Sequence, residues 1–183
     1  MIEFFSYIIK CIYIIIPGAL AVIIPLLVKN LKFLDIPVDM NTKFRGKPLF
    51  GRNKTIRGFV FGIAAAIAFS FFQRWLYRFS FFEAISFVNY TEINVLLFGF
   101  LMGFGALFGD LVESFFKRQL DIKPGKPFIP WDQIDAPLGG MVFILPVYQP
   151  TLLMVASILL ISFLIHIANR TIAYNLGIAK ERW

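Results

Sequence analysis

Asp110, Glu113, Ser114 and Lys117 stand at i, i+3, i+4 and i+7 near the end of a long apolar run, in GALFGDLVESFFKR. That spacing puts all of them on one helix face, with Arg118 directly after. Ionisable groups at membrane depth are expensive, and they usually mark a functional site. A second acidic pair, Asp132 and Asp135, follows a basic loop broken by proline and glycine. Two carboxylate pairs among lysines and arginines have the chemistry of a metal-assisted phosphate site. Mg²⁺ takes few carboxylates together with phosphate oxygens. Each pair also has a purely structural reading. Glu113 and Lys117 can close an i, i+4 salt bridge. Asp132 and Asp135 can serve as N-cap and N3 acid of the next helix.

A third element is GRNKTIRG, Gly51 to Gly58. Arg52, Lys54 and Arg57 supply charge and Thr55 a hydroxyl. The stretch runs straight into an apolar segment, whose first backbone N–H groups would favour a phosphate. It reads equally as a basic anchor at the membrane surface. The order of a Walker A loop is absent. His166, the one histidine, lies near the end of the last apolar run, followed by Asn169 and Arg170. One histidine without cysteine help makes no ordinary zinc site, so it reads as a packed or interfacial polar residue. No Ser-His-Asp arrangement is evident, and no covalent catalysis is expected.

The elements that must hold these residues are membrane helices. The chain has 183 residues, 58% of them hydrophobic and 23 of them phenylalanine, with mean hydropathy +0.75. That excess over what a soluble core can bury excludes an ordinary soluble domain. Several apolar runs exceed the roughly 18 residues of a span. The pattern predicts an all-α integral membrane protein, one domain over 1–183, with five spans. The first runs from about Phe5 to Val28, with Pro17 and Pro25 set to kink it or free carbonyls. The second runs from about Gly58 to Tyr77, the third from about Ile93 to Phe116, and the fifth from about Thr151 to Ala168. The fourth, from about Ile134 to Tyr148, would cover only ~22 Å of a ~30 Å core. No cleavable signal peptide is evident at the start.

Basic residues orient the chain. The stretch from Lys29 to Arg57, the stretch from Lys117 to Lys126 and the tail residues Arg170, Lys180 and Arg182 together carry fifteen; Lys10, Arg74 and Arg78 make three on the other side. The prediction is an outside N-terminus, with both long basic loops and the tail cytoplasmic. The net charge of +7 then fits anionic headgroups or a phosphate pocket. The aromatic residues sit in the apolar runs and not in the basic loops, which argues against nucleic acid. Cys11 has no partner and reads as a small core residue. Glycine pairs Gly58/Gly62, Gly99/Gly103 and Gly105/Gly109 predict close helix packing, inside one chain or in a homodimer.

With these residues in view, GDLVESFFKRQLDIK followed by DQID resembles the signature of membrane CTP-dependent cytidylyltransferases. Gly109-Asp110, Ser114, Lys117-Arg118, Lys123 and the closing acids Asp132 and Asp135 match it. Pro124 stands where that signature has an acid, a His-Gly-Gly is missing, and Gln133 replaces an arginine. The whole chain is more similar to the CDP-archaeol synthase family, which is shorter and uses Asp-Gln in that place. That likeness also takes in the proline-bearing first span, Gly51 to Gly58, and the tail HIANRTIAYNLGIAKERW.

The resemblance implies transfer of a cytidylyl group from CTP to a lipid glycerol phosphate, the 2,3-bis-geranylgeranyl diether in archaeal members, with release of pyrophosphate. It implies Mg²⁺ on Asp110, Glu113, Asp132 and Asp135. Asp110, Lys117, Arg118 and Asp132 would be catalytic, and Lys54, Thr55, Arg57, Ser114, Lys123 and Gln133 would bind substrate. Asn53, Thr55 and Gln133 are candidates for cytosine. The alternatives are a phosphatidate cytidylyltransferase, a CTP-dependent polyprenol kinase, or a small transporter, which would hold its acids near mid-membrane between broken helices.

Overall fold

The computed structural model describes residues 2–175 and Gly177, so Lys180 and Arg182 lie outside the described residues. Its long elements are helices: α1 (Ile2–Leu27), α2 (Ile56–Leu76), α4 (Val95–Gln119), α5 (Trp131–Phe143) and α6 (Leu152–Asn175), with a short α3 (Ser80–Ala84). A two-stranded hairpin, β1 (Lys43–Phe44) and β2 (Lys47–Pro48), decorates the loop after α1. Arg45 (φ 52°) and Gly46 (φ 81°) turn it, the two positive φ values of a tight two-residue connection.

Four helices, α1, α2, α4 and α6, are long and apolar enough to cross a membrane. They correspond to four of the five predicted spans. α5 does not reach that length. Its 13 residues cover about 20 Å, and it starts at Trp131 where the sequence pattern pointed to Ile134. Residues 144–147 leave the helix in turns. α1 continues through Pro17 and Pro25, and Pro25 supplies the surface on which Gly58 of α2 rests.

Glycines set how closely the helices approach. A Cβ on Gly99 would lie 2.7 Å from Ile67 Cα, and one on Gly103 would lie 2.6 Å from Ala66 Cβ, so α2 and α4 run antiparallel with backbones nearly touching. The α4–α5 seam is similar: Gly105 faces Gly139, and Gly109 faces Asp135. Every predicted glycine pair is therefore used inside the chain. This is van der Waals packing of small residues, the main attraction left where lipid removes the hydrophobic drive between helices.

The core is graded from end to end. Toward the α1 N-terminus it is a large cluster that includes Cys11, Tyr90, Phe98, Met141, Ile144 and Ile158. Toward the other end it narrows to Ala21, Ala66 and Leu107, and beyond them the charged residues begin. Many phenylalanines face outward, among them Phe71, Phe100, Phe108 and Phe116. A hydrocarbon surround makes that exposure favourable.

Candidate active site

The loop between α1 and α2 brings a lysine to the carboxylates. Residues 36–38 pair with residues 54–56 through Val38 N–H to Lys54 O (2.8 Å) and Ile56 N–H to Ile36 O (2.9 Å). Thr55 then caps α2, its hydroxyl accepting from Gly58 N–H at 3.2 Å. Asp39 gathers the loop by accepting from the backbone N–H groups of Asn41 (3.0 Å), Phe50 (3.0 Å) and Gly51 (3.1 Å). Burial alone would raise its pKa, but these donors outweigh burial and hold it below the usual carboxylate value. So fixed, Lys54 reaches into the bundle and donates to both carboxylate oxygens of Asp110, at 2.6 and 2.7 Å. Arg57 turns the other way: its buried guanidinium meets Asp35 at 3.0 Å and the Leu31 carbonyl. Within this element Lys54 meets the acids, whereas Thr55 and Arg57 hold the loop.

The helix face carries the remaining acids. Lys117 bridges Glu113 (2.7 Å) and Asp132 (2.6 Å), tying the end of α4 to the start of α5. The i, i+4 salt bridge of the structural reading is thus present, as one half of a bridge between two helices. Asp132 does not cap α5. Pro130 holds the N-cap position, and Asp132 accepts instead from Phe128 N–H at 2.8 Å. Asp135 accepts from the N–H of Ala136 at 2.7 Å. Ser114 points its hydroxyl at Glu113, 3.3 Å away.

Asp110, Glu113 and Asp135 each bring a carboxylate oxygen within 4.8 Å of the others. Three hard oxygen donors in that space fit a hard divalent cation, with room for phosphate oxygens or water to complete the shell. Asp132, the fourth acid of the sequence reading, stands one lysine away and is held by Lys117.

Around these acids the bundle opens in three directions. A polar cavity of about 410 Å³ is walled on one side by Arg52, Asn53 and Lys54, and on the other by Lys117, Arg118 and Arg170. An apolar groove of about 390 Å³ runs between α1, α5 and α6. A second, of about 400 Å³, runs along the opposite side of the α4–α5 pair, between Val112, Phe116, Trp131 and Leu138. Asp135 lines all three. Gln133 is buried on the first groove with its carbonyl oxygen unpartnered. Arg118 also keeps a buried, unpartnered Nε on the polar cavity. Lys123 is exposed and lines none of these spaces, whereas Lys126 lines the polar one.

His166 and Arg170 were the residues the sequence reading gave no chemistry. Both sit at the site, brought there by α6. The signal was available: residues 166, 169 and 170 share a helix face, the same i, i+3, i+4 spacing that singled out Asp110.

Membrane-spanning helices that end around a cavity of carboxylates and cations, with apolar grooves leading into it, define an intramembrane enzyme of lipid chemistry. The chain belongs to the CDP-archaeol synthase family: the family model described as "CarS-like: CDP-archaeol synthase" matches residues 4–183. The CDP-archaeol synthase of Methanocaldococcus jannaschii is 34% identical over 80% of this chain and 83% of its own length. That of Methanococcus vannielii is 36% identical over the same shares. A solved structure described as an intramembrane enzyme for archaeal membrane lipid biosynthesis superposes with TM-score 0.70 at 27% identity, covering 88% of this chain and 93% of that one.

Proposed function

We propose that the chain, acting as one domain over 1–183, transfers the cytidylyl group of CTP to an unsaturated archaeal diether glycerol phosphate. The products are a CDP-lipid and pyrophosphate. A lipid phosphate oxygen forms the new bond to the α-phosphorus of CTP, and the bond from that phosphorus to the pyrophosphate oxygen breaks. The observation that carries the reading is the joining of a basic, acid-floored cavity to an apolar groove at Asp110, Asp132 and Asp135. A water-soluble triphosphate and a lipid phosphate can meet only at such a junction.

The chemistry asks little of a protein base. A phosphate monoester is mostly ionised at neutral pH, so the nucleophile needs no proton removed. The work is charge neutralisation and alignment. Lys54, Lys117 and Arg118 are the cations we assign to the phosphates, with Arg52 and Arg170 lining the same cavity. Arginine offers the planar fork suited to the leaving pyrophosphate. Asp110, Glu113 and Asp135 would hold Mg²⁺, which when bound neutralises phosphate charge and polarises the phosphoryl oxygens. Asp132 fixes Lys117. Asn53, on the wall of the polar cavity, is the residue we assign to the base.

The test is purified protein in detergent with radiolabelled CTP, Mg²⁺ and either the ether phosphate or a diacyl phosphatidic acid. A labelled CDP-lipid from the ether, with equimolar pyrophosphate, is the expected result. The same product from the diacyl lipid alone would move the substrate to ester lipids. Lipid phosphate with CDP would mean a kinase.

We further propose that the site faces the cytoplasm and that α5 with residues 144–151 returns the chain across the bilayer as a fifth pass. Two packings support this. Gly105 against Gly139 and Gly109 against Asp135 make α5 antiparallel to α4. Tyr7 near the start of α1 meets Ser157 near the start of α6 at 3.4 Å, while His166 further along α6 lines the site. We assign the protein as a monomer, because its helix-packing glycines are engaged internally. Impermeant maleimide on intact cells is expected to label Glu92→Cys and spare Lys43→Cys; the opposite pattern would invert the topology.

A further inference from the structure

We infer that His166 is the residue that meets the acceptor phosphate of the lipid, an inference that rests on the transfer reaction proposed above. The acceptor has a fixed requirement. Its chains belong in an apolar groove and its phosphate must reach the polar cavity, so the phosphate passes the boundary between the two. Among the described residues, four line both the groove between α1, α5 and α6 and the polar cavity: Asp110, Asp132, Asp135 and His166. Three of the four are carboxylates that already have work: Asp110 and Asp135 are among the acids assigned above to the cation, and Asp132 is held by Lys117. His166 is the only one of the four whose ring N–H can donate to it.

The surroundings agree. α6 is graded along one face. Ser162, Ile165 and Asn169 line the groove, Arg170 lines the polar cavity, and His166 lines both. A lipid lying in that groove would slide its phosphate along α6 from apolar to cationic wall, meeting the imidazole at the crossing. The lysines of the cavity are already committed in part: Lys54 to Asp110, and Lys117 to Glu113 and Asp132. His166 carries no hydrogen bond or ion pair to another described residue, and its side chain is exposed to the cavities. It gives up no partner among the described residues when it turns toward a ligand.

The experiment uses the whole protein in detergent with Mg²⁺, comparing wild type with His166→Ala and His166→Gln. Three quantities are measured: KM for the ether glycerol phosphate, KM for CTP, and binding of the same labelled lipid phosphate without CTP. A dephosphorylated diether glycerol serves as competitor. A lost hydrogen bond to a charged group predicts that His166→Ala raises the lipid KM about tenfold and weakens lipid binding to match. The CTP KM should stay within about twofold, by the same reasoning that the bond is made to the lipid alone. His166→Gln, which keeps a donor, should recover much of the loss. Competition by the dephosphorylated diether should be unchanged, because it lacks the group that His166 contacts. An unchanged lipid KM in both variants, a rise in CTP KM instead, or equal weakening of the dephosphorylated diether would each overturn the assignment. Wild-type protein that binds the ether phosphate, loses that binding in His166→Ala and yet forms no CDP-lipid would overturn the reaction and uphold this contact.

Discussion

Asp110→Asn should lower CDP-lipid formation at least a hundredfold, with helical content and melting temperature close to wild type. Several features of the site converge on Asp110. It lines the polar cavity and the apolar groove, it gives one of the three clustered carboxylate oxygens, and both its oxygens receive Lys54. Asparagine keeps the volume and one oxygen but removes the charge. A hard cation then loses one of its anionic ligands, and Lys54 loses the partner that fixes its ammonium group. Losing one preorganised electrostatic contact typically slows a reaction by about 10²–10³; here one substitution disturbs two. The fold should tolerate it, because the pair lies at the cavity surface and not in the seam between helices. The measurement is product formation from labelled CTP beside circular dichroism and a melt. Activity above about a tenth of wild type in a folded variant would remove Asp110 from the metal site and leave the cation to Glu113 and Asp135.

The sequence exposed the acids because charge is conspicuous in apolar surroundings, and a helical repeat is enough to put Asp110, Glu113 and Lys117 together. It could not say which acid each lysine would choose. The i, i+4 spacing allows Lys117 to pair with Glu113 along α4, and it does, but Asp132 completes the bridge from another helix. Such a partner depends on the α4–α5 register, which the glycines set. Arg57 shows the same limit. By spacing it belonged with Lys54, yet the chain enters α2 between them, and Lys54 on the loop reaches the cavity while Arg57 in the first turn holds Asp35. Spans were legible where length and hydropathy agree, and ambiguous in α5, whose 13 residues satisfy neither rule alone. α5 is stable at that length because its first turn sits at the depth of the site, held by Lys117, and its glycine face lies flat on α4.

That seam predicts the second large effect. Gly109→Ala should reduce activity about a hundredfold while most of the helical structure survives. A methyl group at Gly109 would stand 2.8 Å from the carbonyl carbon of Asp135 and nearer still to its oxygen; the obstacle is backbone, which cannot rotate aside. α5 must therefore withdraw from α4. Asp135 and Asp132 travel with it, while Asp110, Glu113 and Lys117 stay on α4. The two halves of the acidic site part by a distance on the order of 1 Å, a misplacement that can cost about 10²-fold in rate. Gly18→Ala is the natural comparison. Its methyl group would meet side-chain atoms alone, the Met102 thioether at 3.3 Å and Ala106 Cβ at 3.4 Å, and no backbone of α5. Steady-state rates of the two variants, each with a melt, decide the matter. Equal activity in Gly109→Ala and Gly18→Ala would mean that the carboxylates tolerate displacement, and that tight packing of α5 serves membrane insertion and not the geometry of the site.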